Sequence, residues 1–211
     1  MLPQNYQFVH KAPVIPVMVI NDIKHAVPMA QALIAGGLTT LEITLRTDCA
    51  LEAIKEISNA VSGADIGAGT VCNGAQFDAA IAAGARFIVS PGSSETLFTA
   101  SKDTGIPLLP GGVTASEVLA IQDAGFPVIK FFPAETSGGA AAIKALGGPF
   151  GDALFVPTGG IGLHNVRDYL TMPNVAAVGG SWILPAAAVQ SEDWTAVTRL
   201  AAEAVALAST L

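Results

Sequence analysis

One pattern recurs along the chain and limits the folds open to it. Short stretches rich in Val, Ile, Leu and Phe alternate with longer segments of helical character, and eight such units fit within 211 residues. Most of the short stretches are apolar on both faces, which is typical of parallel strands covered by helices. The predicted strands lie at 14–20, 39–45, 64–69, 86–90, 106–110, 128–132, 153–157 and 175–180.

Eight successive strand–helix units predict an α/β fold, a closed (β/α)8 TIM barrel with an N-terminal helix before the first strand. The competing architecture is a doubly wound open sheet, which usually carries a glycine-rich fingerprint after its first strand. Here the first strand runs into "MVINDIKHA", and no such fingerprint follows. With no linker or low-complexity segment in view, residues 1–211 are predicted to form one domain.

Composition excludes several classes of function. The net charge is −7 with a pI near 4.8, which argues against binding to nucleic acid or an anionic membrane. The N-terminal "MLPQNYQFVH" lacks the features of a signal peptide, and no apolar segment has the length of a membrane span. Two cysteines suit a reducing cytoplasm, and hydrophobic residues at 51% against 13% charged hint at self-association.

The second predicted strand, "LEITLRT", combines an apolar and a polar face. Glu42, Thr44 and Arg46 share one side because alternate residues of a strand point the same way. In a barrel this side faces the lumen, where polar groups at the carboxyl ends of strands indicate catalysis. The alternative from this strand alone is an edge strand with a solvated face.

The sixth predicted strand contains a lysine within an apolar run, where lysine is rare. Lys130 interrupts the apolar run "VIKFF" and shares a face with Val128 and Phe132. One explanation is a buried ion pair with Glu42 or another carboxylate. The other is a nucleophile, because apolar surroundings disfavour the ammonium form and a neutral amine can attack a carbonyl to form an imine.

Two Gly-Gly pairs follow the seventh and eighth predicted strands, in "FVPTGGIG" and "AVGGSWI". Glycine lets backbone N–H groups approach an anion, and barrels often bind phosphate between these two loops. Ser181 adds a hydroxyl beside the second pair, and the fork of Arg46 suits a carboxylate. An imine-forming lysine, a carboxylate, an arginine and a phosphate cradle together indicate a phosphorylated keto acid as substrate.

These motifs resemble the class I 2-keto-3-deoxy-6-phosphogluconate (KDPG) aldolases, which also act on 4-hydroxy-2-oxoglutarate (KHG). The matching stretches run in the family's order and include "GGLTTLEITLRT", "IGAGTV", "FIVSPG", "LLPGGVTASE", "KFFPAE", "FVPTGGI" and "VGGSW". The resemblance implies a homotrimer of barrels that uses a Schiff base and no metal or other cofactor. One departure is Gly111-Gly112 in "LLPGGVTASE", where the family has a single glycine before a bulkier residue, and it bears on substrate range.

The resemblance also implies a role for each site residue. Lys130 is the Schiff-base lysine and Glu42 the general acid/base, acting through a water. Arg46 and Thr70 hold the carboxylate of the keto acid, while Thr158 lies near the aldehyde end. The pocket wall and the phosphate cradle comprise Pro91, Phe132, Gly159, Gly160, Gly180 and Ser181.

Three other functions stay open at this point. An aldolase for the galactonate-derived epimer differs only in stereochemistry at C4. A phosphate-binding barrel isomerase or epimerase needs the Gly-Gly turns but no imine-forming lysine. A binding protein could use the same pocket without turnover. Cys72 is predicted to be a small apolar filler, and the three histidines are too scattered for a metal site.

Overall fold

The computed structural model describes residues 2–208 and contains all eight predicted strands. All strand pairs are parallel. Met1 and residues 209–211, which the predicted domain bounds include, lie outside the described residues. The strands are β1 Val14–Met18, β2 Thr40–Thr44, β3 Asp65–Gly69, β4 Phe87–Val89, β5 Leu108–Leu109, β6 Val128–Phe131, β7 Leu154–Pro157 and β8 Val178–Gly180.

The strands close into a barrel in chain order. Six form one sheet in the order β5-β4-β3-β2-β1-β8, and β6 pairs with β7. Single bridges join the two sheets, one between Gly111 and Lys130 and another between Thr158 and Gly179. Every strand therefore has a neighbour on both sides, which confirms the (β/α)8 barrel and excludes the open doubly wound sheet.

Helices surround the barrel. The α-helices are α1 Ala26–Ala35, α2 Ala50–Ala60, α3 Gly74–Ala82, α4 Glu95–Thr104, α5 Ala115–Asp123, α6 Gly139–Leu146, α7 Val166–Leu170, α8 Ala186–Gln190 and α9 Trp194–Ala208. Short 3-10 helices lie at Gln4–His10, Ile23–His25 and Glu135–Ser137. Within residues 2–208, no helix combines the length and apolar character needed to cross a bilayer.

Strand alternation separates two apolar cores. Leu41, Ile43, Ile129 and Phe131 pack outward with the helices in the larger core. The smaller core fills the lumen with Ile15, Phe87, Val89, Leu109, Val128 and Val156. Glu42 and Lys130 have the parity of the lumen residues, so the barrel directs both side chains inward.

The N-terminal 3-10 helix packs into this inner core. Tyr6, Phe8 and Val9 are buried there, and the ring of Phe8 stacks on that of Phe87 with centroids 4.3 Å apart. The Tyr6 hydroxyl donates to the carbonyl of Leu108 at 3.1 Å and accepts from its N–H at 3.3 Å. Burial raises the pKa of Tyr6 to about 12. The predicted helix before β1 is therefore present and anchors the chain to the barrel interior.

Replacing Tyr6 with Phe tests this anchor. Both backbone groups of Leu108 would lose their buried partner, at an expected cost of about 1–3 kcal/mol in the free energy of unfolding. Chemical denaturation with urea measures the loss, and an unchanged unfolding midpoint would contradict it. Phe8→Leu keeps the hydroxyl interaction and serves as a packing control.

Candidate active site

A buried lysine–carboxylate pair spans the barrel lumen. The Lys130 Nζ lies 3.2 Å from the Glu42 Oε1, and each residue is only 3% exposed. Lys130 comes from β6 and Glu42 from β2, on opposite sides of the barrel. The ion pair expected as the structural explanation of Lys130 is thus present, and it places the amine beside the carboxylate predicted to act on the substrate.

Two glycines allow close approaches near this pair. A Cβ on Gly69 would lie 2.1 Å from the Glu42 Oε1, and one on Gly111 would lie 2.2 Å from the carbonyl oxygen of Pro91. Gly111 bridges to Lys130, so Pro91 lies close behind the backbone that carries the lysine. The absence of a side chain at Gly69 leaves room for the Glu42 carboxylate, and its absence at Gly111 lets the backbone next to Lys130 approach that of Pro91.

The surroundings of the Lys130 amine are apolar on one side. The Nζ lies 5.2 Å from the centroid of the Phe132 ring, within the range of a cation–π contact. Phe132 follows β6 directly, and its ring also lines a cavity. Phe132 therefore connects the pair with this cavity, although neither Lys130 nor Glu42 is part of the cavity wall.

This cavity opens where β1, β7 and β8 end, and its volume is about 170 Å³. Its wall combines a guanidinium, a hydroxyl-bearing threonine and serine, and the glycines of both Gly-Gly turns. Six of the eleven predicted site residues lie in the wall: Arg46, Phe132, Thr158, Gly159, Gly160 and Ser181. The wall therefore brings a guanidinium, two hydroxyl-bearing residues and flexible glycine backbone around one cavity.

Thr158 is an unsatisfied polar group in this wall. Its Oγ1 is buried and has no hydrogen-bond partner among the described residues. Buried hydroxyls in native proteins nearly always have a partner, so an orphaned one marks a place for a ligand or water. A Cβ on Gly179 would lie 2.2 Å from this oxygen, so the glycine leaves room for the Thr158 hydroxyl next to β8.

Arg46 and Thr70 form a second polar group at the mouth. The Arg46 Nε donates to the Thr70 Oγ1 at 3.1 Å. Thr70 follows β3 and has a φ of 59°, a left-handed conformation that is uncommon for a threonine. This backbone turns the hydroxyl toward the arginine and orients a forked donor toward the cavity.

The Gly-Gly turns differ from the prediction in one detail. Gly179 lines the cavity, whereas a Cβ on Gly180 would lie 1.8 Å from the ring of Trp182. The reason is parity: Gly179 shares the lumen side with Ala177, and Gly180 does not. The role of Gly180 in the phosphate cradle stays a prediction. Gly179 is a residue of the cavity wall that the alternation of side chains along β8 could have identified.

Three apolar wall residues were also missed, namely Val17, Val19 and Ile161. Val17 has the lumen parity of Ile15, but an apolar residue in a strand carries no chemical signal of a site. Cys72 is exposed, so the expectation of an apolar filler is wrong. Within residues 2–208, no group of three or more His, Cys, Asp or Glu side chains is placed to hold a metal ion.

Fold and site together define a class of protein: a (β/α)8 barrel with an amine, a carboxylate and a glycine-lined cavity at the carboxyl ends of its strands. Residues 6–200 match the family model described as KDPG and KHG aldolase. The chain belongs to this aldolase family.

Individual relatives agree with the family match over nearly the whole chain. A 2-dehydro-3-deoxy-phosphogluconate aldolase of Dickeya dadantii is 52% identical over 200 residues, which are 95% of this chain and 94% of the relative. The structure of KDPG aldolase from Legionella pneumophila, with pyruvate captured at low pH as a covalent carbinolamine intermediate, superposes with a TM-score of 0.93. The two chains are 43% identical, and the match covers 96% of this chain and 98% of the Legionella chain.

A third relative carries a phosphorylated ligand. The KDPG aldolase of Zymomonas mobilis ZM4 with 3-phosphoglycerate has a TM-score of 0.91 and 46% identity to this chain. The match covers 96% of this chain and 95% of that one. The fold is therefore that of KDPG aldolases, one of which was captured with pyruvate and another with 3-phosphoglycerate.

Proposed function

We propose that the protein is a class I aldolase that cleaves KDPG to pyruvate and glyceraldehyde 3-phosphate. The observation that carries the proposal is the Lys130–Glu42 pair, with 3.2 Å between amine and carboxylate, beside a cavity with a guanidinium and two glycine turns. Family membership and the covalent pyruvate adduct in the Legionella relative support the same chemistry.

The reaction begins at the amine. Lys130 attacks the C2 ketone, and loss of water from the carbinolamine gives a protonated imine. Glu42 removes the proton of the C4 hydroxyl, acting through a water, and the electrons of the breaking C3–C4 bond flow into the imine. Glyceraldehyde 3-phosphate leaves, the resulting enamine is protonated at C3, and hydrolysis frees pyruvate and the lysine.

The imine takes the place of a metal in this scheme. A protonated imine is itself the electron sink for carbon–carbon cleavage, so the reaction needs no metal or organic cofactor.

The remaining polar groups orient the substrate. Arg46, held by Thr70, binds the carboxylate next to the ketone, and the Thr158 hydroxyl contacts the hydroxyl-bearing carbons near the aldehyde end. The phosphate lies against Gly159, Gly160, Gly180 and Ser181, with Pro91 and Phe132 as pocket walls. In this proposal each predicted site residue binds part of the substrate, lines the pocket or takes part in the reaction.

KHG is proposed as a second substrate, because the family description includes both keto acids. Cleavage of KHG by the same steps yields pyruvate and glyoxylate. It requires the pyruvate end of the site but not the phosphate turns. We further propose that residues 1–211 act as a single domain, in a cytoplasmic homotrimer.

Borohydride reduction in the presence of pyruvate tests the central proposal. The expected result is a mass increase of one reduced pyruvate per chain, mapped by peptide mass spectrometry to Lys130 and to none of the exposed lysines. Lys55, on the surface of α2, is the matched control because it is an amine outside the barrel. An unmodified Lys130 would contradict the aldolase and favour a barrel isomerase or a binding protein.

Rates on the two C4 epimers distinguish the proposed substrate from its closest competitor. We expect a higher kcat/KM for the gluconate-derived epimer, and a preference for the galactonate-derived epimer would replace the proposed substrate while leaving the imine chemistry intact.

A further inference from the structure

A second carboxylate lies next to the cavity and has no part in the scheme above. Glu135 comes five residues after Lys130, in the short 3-10 helix between β6 and α6. Its Oε1 accepts a hydrogen bond from the hydroxyl of Tyr169 on α7. Tyr169 is only 1% exposed, so the carboxylate of a surface residue is held by a buried phenol.

Glu135 also packs directly on the turn after β7. A Cβ on Gly160 would lie 2.6 Å from the Cγ of Glu135 and 2.8 Å from its Cβ. The glutamate stem therefore occupies the space next to the α-carbon of a residue in the cavity wall. Any other residue at 160 would collide with it.

The backbone reinforces the same contact. The N–H of Glu135 donates to the carbonyl of Gly159 at 3.2 Å, and the N–H of Ala134 donates to that of Thr158 at 2.8 Å. Gly159 and Gly160 have φ values of +103° and +76°, which glycine adopts readily because it has no Cβ. The loop after β6 thus supports the two-glycine turn from behind, and Tyr169 fixes the side chain of that support.

The environment of Tyr169 raises the pKa of its hydroxyl. Burial and the hydrogen bond to the Glu135 carboxylate both raise the pKa of Tyr169, so its hydroxyl stays a donor across the working pH range. The raised pKa keeps the Tyr169 hydroxyl available to donate to Glu135 at neutral pH.

From these contacts we propose that Glu135, locked by Tyr169, is a positioning residue for the phosphate end of the substrate. It acts through the Gly159-Gly160 turn and touches no reacting atom. The inference rests on the proposed function, because the turn is assigned there to the phosphate. We therefore expect that removing the Glu135 side chain weakens the binding of a phosphorylated substrate more than the binding of a substrate without a phosphate.

The test compares KDPG with KHG, which is shorter and carries no phosphate. In Glu135→Ala, we expect the KM for KDPG to rise about tenfold, the equivalent of one lost hydrogen bond to a charged group. The kcat for KDPG should stay within about twofold of the wild type, because the interaction is made equally in the ground state and the transition state. The kcat/KM for KHG should also stay within about twofold, because KHG carries no phosphate. The inhibition constant of inorganic phosphate should weaken in parallel with the KM for KDPG.

Two further variants separate positioning from other roles. Tyr169→Phe removes only the donor hydroxyl and is expected to show the same selective rise at smaller size, while remaining folded. Glu135→Gln keeps both the stem and an acceptor for Tyr169, and should restore a KM within about threefold of the wild type because no contact is lost. A Gln variant as poor as Ala would mean that charge, not support of the turn, is the relevant property, and would overturn the proposal.

Thr136→Ala is the matched control, since Thr136 lies in the same short helix and its hydroxyl donates to the Pro133 carbonyl at 3.4 Å. Equal losses on KDPG and KHG, or no loss on either, would contradict the positioning role.

Pyruvate trapping at Lys130 keeps the two proposals distinct. If the wild type fails to trap pyruvate, the proposed function fails; if it traps pyruvate and the variants show no phosphate-selective defect, only this inference fails.

Discussion

Lys130→Met is expected to lose nearly all aldolase activity and all pyruvate trapping. The physical reason is that methionine has no amine, so neither the carbinolamine nor the imine can form. The side chain retains much of the volume of lysine, although the cation–π contact of the Nζ with the Phe132 ring is lost. A coupled assay for glyceraldehyde 3-phosphate measures the loss, and Lys55→Met on the surface should behave as the wild type.

This variant also leaves Glu42 buried without its partner, so the loss of activity must be separated from a loss of folding. Removing one member of a buried pair typically costs about 3–5 kcal/mol, whereas replacing both with apolar residues is often neutral. The double variant Glu42→Leu/Lys130→Met should therefore recover most of the lost free energy of unfolding and remain inactive. A stable double variant with aldolase turnover would contradict the role of Lys130.

Glu42→Gln is expected to lower kcat by about 10²–10⁴-fold, the typical contribution of a general acid or base. Glutamine matches the shape of the side chain and can still accept a hydrogen bond from Lys130. It cannot take the proton of the C4 hydroxyl. Pyruvate trapping by borohydride should survive in this variant, because imine formation needs the amine, while exchange of the pyruvate methyl protons with deuterium should slow with kcat.

That split between trapping and turnover is the specific signature of an acid/base role. A merely structural carboxylate would affect both equally, through the geometry of Lys130. Glu52→Gln, on the exposed side of α2, is the matched control for the loss of a negative charge. A Glu42→Gln enzyme within tenfold of wild-type kcat would assign the proton transfer to another group or to water.

Much of the fold follows from the order of residues alone. The eight strands appear where apolar runs predicted them, and the parity of Glu42 against Leu41 and Ile43 correctly placed the carboxylate in the lumen. The C-terminal helix shows the limit of such reading. The polar stretch "QSED" predicts a helix that begins near Ser191. The structure shows that α9 begins at Trp194, where the Asp193 Oδ1 accepts from the N–H of Ala196 at 2.9 Å.

The site was less accessible to sequence reasoning. The buried lysine and the glycine pairs are chemically conspicuous, whereas Val17, Ile161 and Gly179 have no distinguishing chemistry and line the cavity only through their position. Glu135 was part of a recognised motif, yet its use depends on Tyr169, which lies far along the chain. Contacts of this kind arise from barrel closure and leave no local pattern.

The sequence by itself determined the barrel, the inward direction of Lys130 and Glu42, and the presence of two glycine turns, because strand periodicity and residue chemistry are local properties. Only the tertiary structure decided that the amine and carboxylate meet at 3.2 Å, that Gly179 rather than Gly180 faces the cavity, and that Glu135 supports the turn at Gly160. The physical reason is that these distances are set when β6 and β8 are brought into register with distant strands, and that register depends on packing of the whole barrel.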